Sequence, residues 1–248
     1  MFNRTPFMSL KPTSRAVLDH DAAAYTGAHV IIEWPPEGKV RMREVVRRSN
    51  VRRTFKFPSH KAGRMIHCES KLERDACPLH EVSPEVLGYC EQPARLHFLM
   101  EGQWREHVPD LLVRTRNGPV FREIKSNADS EDPFVLARAR LLAAALPAQG
   151  YRYELLRESD IRREPRLANA RVVLRFGRAP VQLLDQERAR QALLAAPEFT
   201  WGDVRRGSLG PVGLRAVCRL ILSGSLPVDW EVVWSDDTPV LAINRGGL

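Results

Sequence analysis

Apolar and polar positions along the chain switch repeatedly between helical and strand spacing. From Ser70 onward, Leu72, Ala76 and Leu79 recur at helical spacing. They predict a short or bent helix, because Pro78 lacks an N–H and crowds the preceding turn. The stretch EVLGYCEQPARLHFL, residues 85–99, reads as irregular chain entering a strand. In VPDLLVRTRNGPVFREIKS, residues 108–126, two β-rich runs flank Asn117-Gly118, a dipeptide that favours a tight hairpin. DPFVLARARLLAAAL then predicts a helix, with Asp132 as its cap, Pro133 in its first turn and an end near Pro147 to Gly150. YRYELL alternates like a strand, and SDIRREPRLANARVVLRF turns into a further helical segment. Strands and helices mix throughout, so the expected fold class is α/β.

The pattern changes character after residue 177. LLDQERARQALLAA predicts a helix, Thr200 with Asp203 three positions later forms a cap, and GPVGLRAVCRLILSG predicts another helix with a glycine stop. Two short strand-like runs, LPVDW and TPVLAIN, follow. Helices followed by a small hairpin suggest a winged-helix-like domain over 178–248. Its helix from Pro211 to Ser223 would take the recognition position and offer Arg215 and Arg219 to phosphates, although such domains dock proteins equally often. Residues 1–40 read as a loosely structured lead-in, which leaves 41–177 as the main domain.

Composition narrows the function classes. No apolar run approaches the roughly 20 residues that cross a bilayer, so a soluble protein without a membrane role is expected. The N-terminus lacks the apolar core of a secretory signal, which favours a cytoplasmic location. Four scattered cysteines, Cys68, Cys77, Cys90 and Cys218, suggest buried thiols, because no paired spacing supports a zinc site built from Cys68, Cys77, His80 and Cys90. The 38 basic and 30 acidic side chains give a formal charge of +8, so polyanions are plausible partners. The excess concentrates between Lys39 and Arg64, where ten basic residues accompany one acid. Arg47, Arg48, Arg52, Arg53, Lys56, Lys61 and Arg64 are candidates for neutralising phosphates.

Charged residues also interrupt the two apolar runs of the hairpin. Side chains alternate across a strand, so Glu123 and Lys125 share one face with Phe121, while Arg122 and Ile124 point the other way. Asp110 heads the preceding strand, and Glu73 on the upstream helix could pack over the same end. Gathered carboxylates repel one another unless a cation compensates them. Mg²⁺, with Mn²⁺ as a substitute, suits hard oxygen ligands and supports phosphodiester hydrolysis. Lys125 would then orient the attacking water or stabilise the anionic transition state. Taken alone, PD followed by E-x-K is also what an ordinary surface hairpin with a Glu-Lys pair would show.

Longer segments add to this motif. VVRRSNVRRTFKFPSHKAGRMIHCESKLERD, CEQPARL, VPDLLV and REIKS occur in an order that resembles the TnsA family of transposon-end endonucleases, over about residues 45 to 165. The resemblance implies a restriction-endonuclease-like mixed-sheet core of the PD-(D/E)xK class. It implies metal-proximal acids at Glu73, Asp110 and Glu123, a catalytic lysine at Lys125 and a metal-facing carbonyl at Ile124. Glu69, one turn before Glu73, competes for the first position. The four histidines near these motifs, His67, His80, His97 and His107, receive no role. The segment ERDACPLHEVSPEV departs from the family, whose corresponding helix is uninterrupted and apolar. Further implications are double-stranded DNA at transposon ends as substrate, a DDE-type transposase and an AAA+ ATPase regulator as partners, and a bacterial, nucleoid-associated location. A standalone restriction or repair nuclease, or a non-catalytic DNA-binding assembly subunit, would share most of these features.

Overall fold

The β-rich runs form nine strands, which a computed structural model of the chain describes together with its helices for residues 30–42 and 54–241. In chain order these are β1 (Val30–Glu33), β2 (Phe55–Ser59), β3 (Arg64–Cys68), β4 (Val86–Glu91), β5 (Arg95–Met100), β6 (Gln103–His107), β7 (Leu111–Thr115), β8 (Gly118–Lys125) and β9 (Arg152–Arg157). The helices are α1 (Lys71–Val82), α2 (Asn127–Ser130), α3 (Pro133–Ala145), α4 (Glu158–Ile161), α5 (Arg166–Gly177), α6 (Leu183–Ala195), α7 (Trp201–Arg206) and α8 (Gly213–Leu222). The fold is therefore mixed α/β. Among the described residues no helix is long and apolar enough to cross a membrane.

The chain divides into two units, Met1–Arg74 with Glu85–Asp160, and Asp75–Pro84 with Ile161–Leu248. In the first, a four-stranded sheet has the order β4-β7-β8-β9, with β8 and β9 parallel and the other neighbours antiparallel. A parallel pair needs a crossover, which the residues between β8 and β9 supply through α2 and α3. Asp132 caps α3 as the sequence predicts, its Oδ1 accepting from the N–H groups of Phe134 (2.8 Å) and Val135 (3.0 Å). The β7–β8 hairpin is as tight as expected, with Thr115 opposite Gly118, whose φ of +99° suits glycine. A second sheet, β1-β5-β6, contributes Val30, Leu96, Phe98 and Met100 to a core shared with Leu112 and Phe121 of the first sheet and Leu142 and Leu146 of the α3 region. β2 and β3 form a separate two-stranded hairpin.

Two expectations for this unit change, and that for the helix at Ser70 is narrowed. Val30–Glu33 is a strand paired with β5 and not part of a loose lead-in, because Val30 fills the core beside Phe98. Residues 86–91 form a strand, β4, which pairs with β7 through a register shift between Val86 and Gly88. Its last four residues are all buried, and the sequence hides this because Glu91 is buried against arginines. The helix at Ser70 continues four residues past Pro78, to Val82, with Pro78 itself buried.

In the second unit, α8 lies at the centre and packs against α5, α6 and α7. Ala216, Val217, Cys218, Leu220 and Ile221 are all buried, which leaves Arg215 as an exposed basic residue on this helix. The expected recognition helix is thus an internal one. Gly177 touches α8 so closely that an added Cβ would stand 2.7 Å from Leu222 Cδ1 and 2.8 Å from the Cys218 carbonyl oxygen. α5 packs here, and Ile161–Leu248 falls in this unit together with Asp75–Pro84. The capping box at Thr200 and Asp203 forms as predicted.

No wing strands form among the described residues after α8; Thr200 and Pro239 make only an isolated bridge. Backbone groups there form local turns and bond to the start of α7 instead of forming a ladder. Trp201 N donates to the Thr238 carbonyl (2.9 Å) and Gly202 N to that of Asp236 (3.0 Å). Trp234 stacks on Trp201 with ring centroids 4.4 Å apart, and Pro227 and Pro239 bring no N–H to a ladder.

Candidate active site

The β7–β8 register sets the site. Leu111 pairs with Arg122, so Asp110, one residue before β7, falls opposite Glu123. Beyond the last ladder pair, the Asp110 carboxylate takes the place of strand backbone and accepts the Ile124 N–H at 2.7 Å. Glu123 and Lys125 share a face of β8, as period two requires, and their side chains meet at 2.7 Å. Glu73 is held at the start of α1. Its Oε2 accepts the Glu69 N–H at 2.8 Å, and its own N–H donates to Ser70 Oγ at 3.0 Å.

Glu73, Asp110, Glu123, Ile124 and Lys125 all line one groove of about 610 Å³. Six carboxylates border it, those of Glu69, Glu73, Glu106, Asp110, Glu123 and Asp129, against the two permanent cations Lys125 and Arg138. Glu69, the competitor of Glu73, lies in the same wall, and its backbone supports Glu73. Every acid, carbonyl and lysine position expected from the sequence is therefore brought together.

Two further residues contact Glu123. His107 Nε2, at the end of β6, stands 2.9 Å from Glu123 Oε2 and 3.2 Å from the Tyr153 hydroxyl. Arg138 Nη2, on α3, is 3.4 Å from Glu123 Oε1. The sequence reading gave neither a role. A histidine immediately before V-P-D and an arginine inside an alanine-leucine helix carry no spacing that separates them from surface residues.

The field inside the groove is uneven. Burial raises the Asp110 carboxyl well above the usual range, and the neighbouring Glu123 and Glu73 charges push it further. Burial also raises Glu73. For Glu123, burial acts upward too, but contacts with His107 and Lys125 outweigh it and hold the carboxyl low. Burial lowers the Lys125 ammonium, yet Glu123 and Asp110 more than restore it and its proton is held tightly. Burial depresses His107 and keeps it neutral. The centre is thus an ionised Glu123–Lys125 pair beside an Asp110 that resists ionisation.

Among the described residues, no group of three or more histidine, cysteine, aspartate or glutamate side chains is gathered to hold a metal ion. Lys125 and Arg138 occupy Glu123 Oε1, and backbone N–H groups occupy one oxygen each of Asp110 and Glu73. The donor set nevertheless fits a hard divalent cation. Glu123 Oε2 is a buried carboxylate oxygen that meets only the neutral His107 ring, at 2.9 Å, and the mutual repulsion that raises Asp110 is what such a cation would relieve.

The expected phosphate contacts divide. Arg47, Arg48, Arg52 and Arg53 lie outside the described residues. Lys56 is exposed on β2, and Lys61 lies in the turn that joins β2 to β3. Arg64 is committed elsewhere: its Nη1 and Nη2 donate to Glu91 Oε1 and Oε2 at 2.8 and 2.6 Å, and the Glu91 side chain is only 3 % exposed. A buried carboxylate needs that partner, so Arg64 is a structural cation and not a phosphate contact. All four cysteines are buried free thiols. Comparison with protein-family models finds no match to this chain, and no curated protein matches it.

Proposed function

We propose that the chain is a metal-dependent DNA endonuclease with a restriction-endonuclease-like core, acting at transposon ends as a subunit of a heteromeric transposase of the TnsA kind. The observation that carries this reading is the convergence of Asp110, Glu123, Lys125 and Glu73 in one groove on a mixed sheet, with the acid and the lysine two apart on the interior strand. Asp110, Glu123 and Glu73, with the Ile124 carbonyl, would hold Mg²⁺ or Mn²⁺. When bound, that ion supplies charge stabilisation at the scissile phosphate and lowers the pKa of water.

The protein's own residues divide the remaining work. Lys125, kept protonated by Glu123, places a positive charge at the groove for the phosphate oxygens. Ile124 N–H fixes the Asp110 carboxylate, and the Glu69 N–H fixes that of Glu73. His107 and Arg138 fix the Glu123 rotamer from two sides. Lys56, Lys61 and Arg47, Arg48, Arg52 and Arg53 of the basic segment would hold the flanking backbone. A DDE-type transposase would perform strand joining, an AAA+ ATPase would regulate the assembly, and the complex would work at the bacterial nucleoid.

The cation contacts around Glu123 favour a second reading, a non-catalytic DNA-binding subunit, because they already neutralise the acid without metal. Cleavage of end-labelled duplex with Mg²⁺, alone and with the candidate transposase, separates the two. Lys125→Ala should lower the cleavage rate by about 10²- to 10³-fold while leaving DNA binding in place. Partner-independent cutting that needs Lys125 would identify a standalone nuclease, and DNA binding without cutting in any mixture would identify the binding subunit.

A further inference from the structure

Two arginines share one aromatic ring, and one of them, Arg138, lines the groove. The Arg105 guanidinium lies 5.2 Å from the Phe134 ring centroid and that of Arg138 lies 5.8 Å from it. Phe134 sits in the first turn of α3 with 39 % of its surface exposed, and Arg138 follows it by four residues, one helical turn on. Arg105 comes from β6, two residues before His107. Arg138 has a carboxylate partner in Glu123, but Arg105 makes no ion pair among the described residues and bonds only to Gln103 Oε1, at 3.3 Å. Two like charges have therefore been brought to one ring with one carboxylate between them.

An aromatic face holds the planar guanidinium in place and lowers the ordering cost of a bidentate contact. Planar, pre-ordered guanidinium groups match the geometry of phosphate oxygens. We propose that Arg105 and Arg138, held by Phe134, form a subsite for a backbone phosphate of the DNA strand that enters the groove, next to the phosphate held by Lys125. This rests on the DNA-binding part of the proposed function for its ligand class. It assigns Arg105 a direct phosphate contact, Arg138 a contact shared with Glu123, and Phe134 a positioning role.

The test is fluorescence anisotropy of a labelled duplex without divalent cation, repeated across a salt series, for wild type, Arg105→Ala, Arg105→Lys and Phe134→Leu, each checked for an unchanged melting profile. Arg105→Ala should weaken binding by about five- to tenfold and reduce the slope of log K against log salt by about 0.9, the value for one lost phosphate contact. Arg105→Lys should keep the slope but lose part of the affinity, because the charge stays and the stacked plane does not. Phe134→Leu should weaken binding with little change in slope. Slopes and affinities equal to wild type in Arg105→Ala and Phe134→Leu would overturn the subsite while leaving the nuclease reading intact. A wild-type protein that binds but never cuts would overturn the nuclease reading and leave the subsite standing. No DNA binding by wild type would overturn both.

Discussion

Replacing Arg64 by alanine should destabilise the first unit without specifically impairing DNA binding, although this residue lies in the most basic stretch of the chain. The arginine makes a bidentate pair with Glu91, at 2.8 and 2.6 Å, and the acid is buried on β4. Removing one partner of a buried pair costs about 3–5 kcal/mol, because the other charge is left uncompensated. Two features reduce that figure. The Arg64 side chain is 27 % exposed, so solvent already screens part of the attraction, and Glu91 keeps Arg41 at 3.5 Å and the His67 N–H at 3.3 Å. A loss of about 2–3 kcal/mol remains, a fall in melting temperature of about 4–12 °C for a chain of this size. Urea titration followed by circular dichroism measures it. A double variant, Arg64→Met with Glu91→Leu, should recover part of the loss, since it removes the stranded charge as well. Arg64→Ala within about 0.5 kcal/mol of wild type would refute the reasoning and return Arg64 to the candidate phosphate contacts.

Two further outcomes follow from buried groups. The raised Asp110 carboxyl binds its proton in the folded state at pH values where the unfolded chain has released it, so metal-free stability should fall as pH rises from the ordinary carboxylate range to the raised folded value. Asp110→Asn should therefore melt higher than wild type at neutral pH, with the difference vanishing in acid, and should lack the Mg²⁺-induced stabilisation expected of wild type, about 2.7 kcal/mol at one hundred times the dissociation constant; calorimetry across pH checks both. In the second unit, Gly177→Ala would drive a methyl group into the Cys218 carbonyl and Leu222, costing about 1–3 kcal/mol in chemical denaturation.

What the sequence revealed and what it hid have separate physical causes. Period-two alternation places Glu123 with Lys125, and a tight turn at Asn117-Gly118 sets the register that puts Asp110 opposite Glu123. Both are local rules, and both can be read without knowing any long-range contact. Glu91 shows the opposite case. Its charge makes β4 look like irregular chain, and only its distant partners Arg64 and Arg41 explain why it is inside. His107 and Arg138 reach Glu123 from a third strand and from a helix, at separations no local pattern encodes. The C-terminal hairpin fails for a related reason. LPVDW and TPVLAIN have strand-like composition, but Trp234 stacks on Trp201 and nearby backbone groups bond to the start of α7 before any ladder can form.

β8 runs between β7 and β9, and past the end of the β7 ladder Glu123 and Ile124 stay paired with Leu155 and Leu156 of β9, whereas Asp110 precedes β7 and Glu73 occupies the first turn of a helix. Amides of an interior strand exchange with solvent mainly when the whole unit opens, and residues at element ends exchange through local fraying. Half of the groove therefore shares the lifetime of the fold, while the other half opens and closes far more often. Hydrogen exchange would show this as two separate clocks within one site. The acids that precede β7 and begin α1 are the ones whose positions can be retuned, by a ligand or by substitution nearby, without disturbing the strand that carries the lysine.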